Sequence, residues 1–96
     1  MDILNKEQIT SELKSMDNWE YKDDLLTKEF HFKDFKSAVG FIVRIAFEAE
    51  DQVHHPQLFN VYNNITISLN THDADDKVTT KDIKLAKAID SIYDTY

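Results

Sequence analysis

Residues 59–71 read FNVYNNITISLNT, with apolar and polar side chains alternating on both sides of Asn63-Asn64. The alternating apolar positions are Phe59, Val61, Ile65, Ile67 and Leu69. A period of two is typical of a strand that buries one face, and asparagine tolerates the positive φ angles of a tight hairpin turn. The stretch therefore predicts two antiparallel strands joined at Asn63-Asn64.

A second hairpin is predicted upstream, in the stretch NWEYKDDLLTKEFHF at residues 18–32. The charged residues 22–24 lie near its turn, and apolar side chains alternate after them. We expect Leu26, Phe30 and Phe32 to point to one face of the sheet and to belong to the core.

Three segments with apolar residues at helical spacing surround these hairpins, and each follows residues that commonly cap helices. The capping residues are Asn5 with Gln8 for helix 6–16, Asp34 for helix 35–51, and Thr79 with Asp82 for the last helix. The predicted element order is α-β-β-α-β-β-α. The fold class is therefore α+β, a four-stranded antiparallel sheet with three helices packed on one face.

The composition narrows the possible functions. The chain has 96 residues with one glycine and one proline, and no segment is typical of a linker, so we expect a single domain over residues 1–96. Its 18 acidic and 11 basic residues give a net charge of −7, which opposes direct binding to nucleic acid. No apolar stretch is long enough to span a membrane, and the lack of cysteine removes disulfides and thiol chemistry. We expect a soluble, cytoplasmic protein.

The predicted helix 35–51 is apolar around most of its circumference. The face expected to contact the sheet comprises Phe35, Ala38, Val39, Ile42, Ala46 and Ala49, and a second apolar set comprises Phe41, Ile45 and Phe47. One sheet covers only one side of a helix, so the second set requires another cover. We expect a subunit interface along this helix.

Two adjacent histidines precede the only proline of the chain. Pro56 disfavours helix at His55, so we expect His54 and His55 at a helix exit that faces a cleft. The hairpin that follows returns the chain to His72 on the same side of the sheet. We therefore expect these three imidazoles to converge.

Three converging histidines suit more than one chemistry. Zinc commonly takes three protein ligands, but adjacent residues rarely aim at one point, and the chain has neither cysteine nor a His-x-x-x-His pattern. No Gly-x-Ser-x-Gly motif is present to supply a serine nucleophile. General acid–base catalysis is favoured because imidazole exchanges protons near neutral pH. His31 is expected to be an ordinary surface residue outside this site.

The run EDQVHHPQLFNVYNNITISLNTHD at residues 50–73, followed by TTKDIKLAKAID at 79–90, resembles the pterin-4a-carbinolamine dehydratase family. That family carries Glu-x-x-x-His-His-Pro, then Asn-Val-Tyr-Asn, then a strand ending in Thr-His, then an Asp that opens the final helix. The likeness extends upstream through NWE and FHFKDFKSAVGFI, so it covers most of the chain.

The resemblance implies an enzyme that dehydrates 4a-hydroxytetrahydropterin to quinonoid dihydropterin and water, in the recycling of tetrahydrobiopterin. It implies a pterin substrate, no metal or organic cofactor, and a homodimer or homotetramer. The implied catalytic residues are His54, His55 and His72, and the implied substrate-binding residues are Glu50, Pro56, Thr71 and Asp82.

Two departures from the family pattern affect the expected site. Leu58 stands where a tryptophan is usual, so substrate fit is expected to differ. Asp75-Asp76 stand where Gly-Gly is usual, in a loop one residue longer, which is expected to bring negative charge near the cavity. The alternative function is a non-catalytic oligomeric interaction module or coactivator of the same fold, but such a module has no need of the complete histidine set.

Overall fold

The computed structural model describes residues 2–96. Its helices are α1 (Lys6–Leu13), α2 (Phe35–Gln52) and α3 (Thr80–Tyr93), and its strands are β1 (Glu20–Lys22), β2 (Leu25–His31), β3 (Gln57–Val61) and β4 (Asn64–Leu69). A short 3₁₀ helix, His72–Ala74, lies between β4 and α3. No helix in the described part of the chain is long and apolar enough to cross a bilayer.

The four strands form one antiparallel sheet in the order β1-β2-β4-β3. This arrangement, with the element order α-β-β-α-β-β-α, confirms the predicted α+β fold. All three predicted N-terminal caps are also confirmed, because Asn5, Asp34 and Thr79 each accept a hydrogen bond from the first turn of the helix that follows.

The predicted helix 6–16 ends earlier, at Leu13. The amides of Lys14, Ser15 and Met16 bond the carbonyls three residues before them, which tightens the last turn and takes the chain out of the α-helix. The turn still delivers Met16 to the core, where its side chain is buried.

The prediction of a turn at Asn63-Asn64 is wrong by one residue. Val61 pairs with Asn64, so the two turn residues are Tyr62 and Asn63, with Tyr62 at a φ of 52°. A shift of one residue in register would send every side chain of β4 to the opposite face of the sheet. The observed register keeps the alternate side chain Ile65 fully buried.

The core lies between the sheet and the helices. As predicted, Leu26, Phe30 and Phe32 are buried in it, where they join Ile65, Ile67 and Leu69 from β4. The Phe30 ring centroid lies 5.2 Å from that of Phe41 on α2 and 4.9 Å from that of Tyr93 on α3. These contacts join the two long helices and the sheet in one apolar cluster.

The predicted orientation of α2 is wrong in part. Ala38 and Ala49 are buried as predicted, but Phe41 and Ile45 also belong to the core, whereas Phe35, Val39 and Ala46 are exposed. The periodicity could not orient this helix because it is apolar on both sides. Large apolar side chains remain exposed at every fourth position of α2, at Phe35, Val39, Val43 and Phe47. Residues four apart lie on one face of a helix, and we call this row the α2 stripe.

Candidate active site

The end of α2 delivers the adjacent histidines. Val53 ends the helix in the left-handed conformation, with a φ of 52°, and the His54 amide bonds the Ala49 carbonyl at 3.0 Å. Pro56 then starts the path into β3 because it cannot continue a helix. This sharp exit brings His54 and His55 close to Asn70 and Thr71, just after the end of β4.

The end of β4 supplies the rest of the site. Thr71 forms a bridge with Lys77, and its amide bonds the Lys77 carbonyl at 2.9 Å, so the chain between them closes into a small loop. His72 begins the 3₁₀ turn inside this loop. The loop therefore holds His72 beside the exit from α2.

A cavity of about 330 Å³, which we call the histidine cavity, lies between these two segments. It is lined by four of the predicted site residues, His54, His55, Thr71 and His72. Glu50, Pro56 and Asp82, the other three, do not line it. His31 does not line it either and instead borders a different cavity beside Tyr93.

His54 is held by a buried carboxylate. Its Nε2 atom lies 2.5 Å from Oδ1 of Asp82, which is fully buried, and only 8% of His54 is exposed. The other carboxylate oxygen of Asp82 accepts hydrogen bonds from the Thr71 hydroxyl and from the Thr79 amide, both at 2.8 Å. Asp82 therefore contacts His54 from the buried side of the ring. It has no exposed surface with which to touch a bound molecule.

The buried network continues through a second threonine that sequence reasoning missed. The hydroxyl oxygens of Thr71 and Thr79 lie 2.7 Å apart, and Thr79 is also the N-terminal cap of α3. No buried side-chain nitrogen or oxygen in residues 2–96 lacks a hydrogen-bond partner. A fully paired buried network of this kind holds its members in one arrangement.

His55 and Glu50 form an exposed pair next to the cavity. The Nε2 atom of His55 contacts Oε2 of Glu50, with 65% and 74% of their side chains exposed. Both residues also line a neighbouring apolar cleft of about 420 Å³, together with Pro56 and Leu58. Because His55 borders both spaces, the cleft and the histidine cavity adjoin each other. Leu58, one of the two departures from the family pattern, lines the cleft.

His72 is the most exposed of the three histidines, with 93% of its side chain accessible. Its Nδ1 atom lies 3.2 Å from Oδ1 of Asp76. Asp76 lines the cavity, as the departure from Gly-Gly in this loop led us to expect. Two other charged residues of the lining, Asp73 and Lys81, were missed by sequence reasoning, because nothing in the sequence distinguishes them from ordinary surface charges.

A charged cluster fixes the far side of the loop. Lys77 donates a hydrogen bond of 3.0 Å to Asp24 in the β1–β2 turn, and Tyr21 donates one of 3.1 Å to the same carboxylate. The bond from Lys77 is the main reason that the pKa of Asp24 is lowered, and the same bond raises the pKa of Lys77. Burial is the main reason that the pKa of Tyr21 is raised.

The described residues contain no group of three or more His, Asp or Glu side chains placed to hold a metal ion. What the histidine cavity offers is three imidazoles, each with a carboxylate at hydrogen-bonding distance from one ring nitrogen. Such an arrangement can bind a small polar molecule and move protons at two of its atoms.

Most of the chain matches one protein family. The family model described as pterin 4 alpha carbinolamine dehydratase matches residues 2–92, and the chain belongs to that family. The resemblance seen in the sequence is thereby confirmed.

Individual relatives agree with this chain in length and sequence. A protein of Christiangramia forsetii named "Putative pterin-4-alpha-carbinolamine dehydratase" is 48% identical over 95 residues, which cover 99% of this chain and 97% of that protein. A protein of Opitutus terrae with the same name is 43% identical over 90 residues, covering 94% and 93%.

Two solved structures share the fold. One, described as a transcriptional coactivator/pterin dehydratase from Brucella melitensis, is 36% identical with a TM-score of 0.90, covering 96% of this chain and 99% of that one. The other, a pterin dehydratase-like protein described as a RuBisCO assembly factor of the alpha-carboxysome, is 19% identical with a TM-score of 0.64, covering 79% and 87%. The second likeness concerns the fold alone.

Proposed function

We propose that this protein dehydrates 4a-hydroxytetrahydropterin to quinonoid dihydropterin and water, in the recycling of tetrahydrobiopterin, by general acid–base catalysis. The observation that carries the proposal is the meeting of His54, His55 and His72 at one cavity in a chain of this family. The substrate class comes from the family, and the catalytic role comes from the chemistry of the residues.

The proposed reaction needs one proton donor and one proton acceptor at neighbouring atoms of the pterin. An imidazolium gives a proton to the C4a hydroxyl, and the C4a–O bond breaks to release water. A neutral imidazole takes the proton from N5, and the N5–H electron pair forms the C4a–N5 double bond. The two histidines exchange protonation states overall, so the step requires no metal and no organic cofactor.

The hydrogen bonds of His54 support an active role. A carboxylate only accepts hydrogen bonds, so Asp82 holds the proton of His54 on Nε2 and leaves Nδ1 to exchange a proton with the substrate. We therefore propose Asp82 as a residue that positions His54, instead of one that binds substrate directly.

The remaining predicted residues keep a binding role in the proposal. Thr71 lines the histidine cavity, while Glu50 and Pro56 line the adjoining apolar cleft. A pterin carries ring N–H groups that can donate hydrogen bonds to a carboxylate. It also has a flat ring that apolar side chains can cover. We propose that the ring lies across both spaces, with its reacting edge at the histidines.

The test follows enzymatically generated 4a-hydroxytetrahydropterin by absorbance with and without the protein. Wild type should accelerate dehydration, and single changes to alanine at His54, His55 or His72 should slow it by a factor on the order of 10² or less, because a neighbouring imidazole or water can substitute. His31→Ala, which removes a histidine outside the cavity, is the matched control. Unchanged rates in all three site variants would contradict the assigned chemistry.

A second function is favoured by the α2 stripe, which leaves the large apolar side chains Phe35, Val39, Val43 and Phe47 exposed. We propose that helix 35–51 forms the interface of a homodimer or homotetramer, whether or not the protein also serves as an interaction module. Analytical ultracentrifugation over a concentration series tests this. Phe47→Lys should lower the association state, whereas Ser91→Lys, which adds the same charge on exposed α3 surface, should not. A monomer at all concentrations would contradict the interface.

A further inference from the structure

The loop between β4 and α3 brings a carboxylate to the third histidine. Oδ1 of Asp76 lies 3.2 Å from Nδ1 of His72, and both side chains line the histidine cavity. His54 and His55 also have a carboxylate partner, Asp82 and Glu50, but at Nε2 of the ring instead of Nδ1. His72 and its carboxylate partner therefore belong to the same loop.

The backbone of the loop fixes Asp76 relative to His72. The Asp76 amide bonds the Thr71 carbonyl at 3.1 Å, and the Lys77 amide bonds the Ala74 carbonyl at 3.1 Å. Asp75 and Asp76 have φ angles of 57° and 59°, in the left-handed region that aspartate tolerates better than most residues. Two successive left-handed residues fold the chain back toward Thr71, which places the Asp76 carboxylate against the ring of His72.

The loop is also attached to the rest of the fold. Lys77 follows Asp76 directly and donates a hydrogen bond to Asp24 in the β1–β2 turn. With the bridge between Thr71 and Lys77, this bond gives the loop a fixed point on each side of Asp76. The contact between Asp76 and His72 therefore belongs to an anchored loop, although both side chains are exposed.

We propose that Asp76 is a positioning residue for His72: its carboxylate accepts a hydrogen bond from Nδ1–H and leaves Nε2 as the nitrogen that exchanges a proton with substrate. The use of that nitrogen in catalysis rests on the proposed dehydratase function. The hydrogen-bond arrangement does not, because it concerns the protein alone. An imidazole whose Nδ1 proton is held is available at Nε2 as a base.

The surroundings of His72 allow Asp76 to be tested separately from its neighbour. The other charged or titratable side chains that line the cavity are His54, His55, Asp73 and Lys81. Asp75 is a matched control because it has the same charge and nearly the same φ as Asp76 but no hydrogen bond to His72. Glycine accepts the left-handed conformation without strain, so changing either aspartate to glycine preserves the path of the loop.

The first experiment measures the tautomer of His72 in the whole protein by long-range ¹H–¹⁵N NMR, at a pH where the ring is neutral and without substrate. The Nδ1–H form should predominate in wild type and in Asp75→Gly, and should give way to the Nε2–H form in Asp76→Gly. A predominant Nε2–H form in wild type, or equal changes in the two glycine variants, would overturn the proposal.

The second experiment measures dehydration kinetics in the same variants. Asp76→Gly should lower kcat by about tenfold or less, since general acid–base catalysis as a whole contributes roughly 10²- to 10⁴-fold, with KM near that of wild type. Asp75→Gly should stay within about twofold, because it removes no partner of a histidine. A loss of kcat shared equally by both variants would overturn the positioning role. Inactive wild type would count against the dehydratase function, whereas the tautomer measurement would still decide the role of Asp76.

Discussion

Nε2 of His54 lies 2.5 Å from Oδ1 of Asp82, and the same carboxylate closes the capping box at the start of α3. One buried side chain therefore begins a helix and fixes a histidine of the candidate active site. Since Asp82 accepts from His54, from the Thr71 hydroxyl and from the Thr79 amide, its role depends on having two acceptor oxygens.

Asp82→Asn should therefore cost both stability and rate. Asparagine offers one acceptor oxygen and places an NH₂ group where a second acceptor is needed. Either the Thr71 hydroxyl and the Thr79 amide lose their acceptor, or His54 must take the tautomer without a proton on Nε2. The free energy of unfolding should fall by about 1–3 kcal/mol. Urea denaturation measures this loss, and absorbance kinetics measures the dehydration rate. Asp75→Asn, which makes the same change at an exposed left-handed position, should remain within about 0.5 kcal/mol of wild type. Equal stability of both variants would contradict the network.

The bond between Lys77 and Asp24 should appear in the acid dependence of stability. The pKa of Asp24 is lowered in the folded state, chiefly by the hydrogen bond from Lys77 and next by that from Tyr21. A group with a lowered folded pKa contributes stability above its unfolded pKa and loses that contribution as pH falls through the folded value. Asp24→Asn should thus flatten the decline of stability between neutral pH and about pH 2.

Urea denaturation midpoints across that pH range provide the measurement. Lys77→Met should flatten the same part of the curve, because it removes the main cause of the lowered pKa. The double variant should add little to either single change. Fully additive effects of the two substitutions would contradict a shared contact between Lys77 and Asp24.

The sequence predicted the fold well where local pattern and tertiary packing agree. Strand alternation placed Leu26 and Phe30 in the core, and the residue types at Asn5 and Asp34 located two helix starts. These features depend on residues close together in the chain. The turn was placed one residue too late because Asn63 and Asn64 are both typical turn residues. Only the pairing of β3 with β4 shows that Asn64 belongs to the strand and Tyr62 to the turn.

The orientation of α2 and the supports of the histidines could not be predicted for a different reason. Phe41 and Phe47 look equivalent in the sequence, and only the packing of α2 against Phe30 and α3 distinguishes the buried ring from the exposed one. Likewise, a capping pattern identified Asp82 but gave no sign of its bond to His54, which lies far away in the sequence. Such contacts arise only when separate elements meet.

Gly40 gives a way to test what covers α2. A Cβ built at this position would meet only the Tyr96 hydroxyl, at 4.0 Å, so the single chain has room for alanine. Gly40→Ala should raise the free energy of unfolding by about 0.5–1 kcal/mol, because glycine is the poorer helix former. Ala46→Gly, an exposed position in the same helix, should lower it by a similar amount. A loss of stability in Gly40→Ala would indicate a neighbouring chain packed closely against Gly40.

Val53 is expected to carry backbone strain at the entrance to the candidate active site. A φ of 52° is an outlier for a β-branched residue, and left-handed conformations of this kind cost about 1–3 kcal/mol. Val53→Gly removes that cost but adds freedom to the unfolded chain, which offsets about 0.5–1 kcal/mol of the gain. The net expectation is a rise in the free energy of unfolding of up to about 2 kcal/mol, measured by urea denaturation.

Val43→Gly provides the matched comparison, because it makes the same substitution at an exposed valine within α2. It should lower the free energy of unfolding by about 0.5 kcal/mol or more, since glycine is the poorer helix former and the valine side chain also belongs to the α2 stripe. Opposite signs for the two substitutions would locate the strain at the turn that delivers His54 to the cavity. A loss of stability in Val53→Gly would instead mean that the valine side chain makes a contact that outweighs the strain of its backbone, and the turn before His54 would then be held by packing.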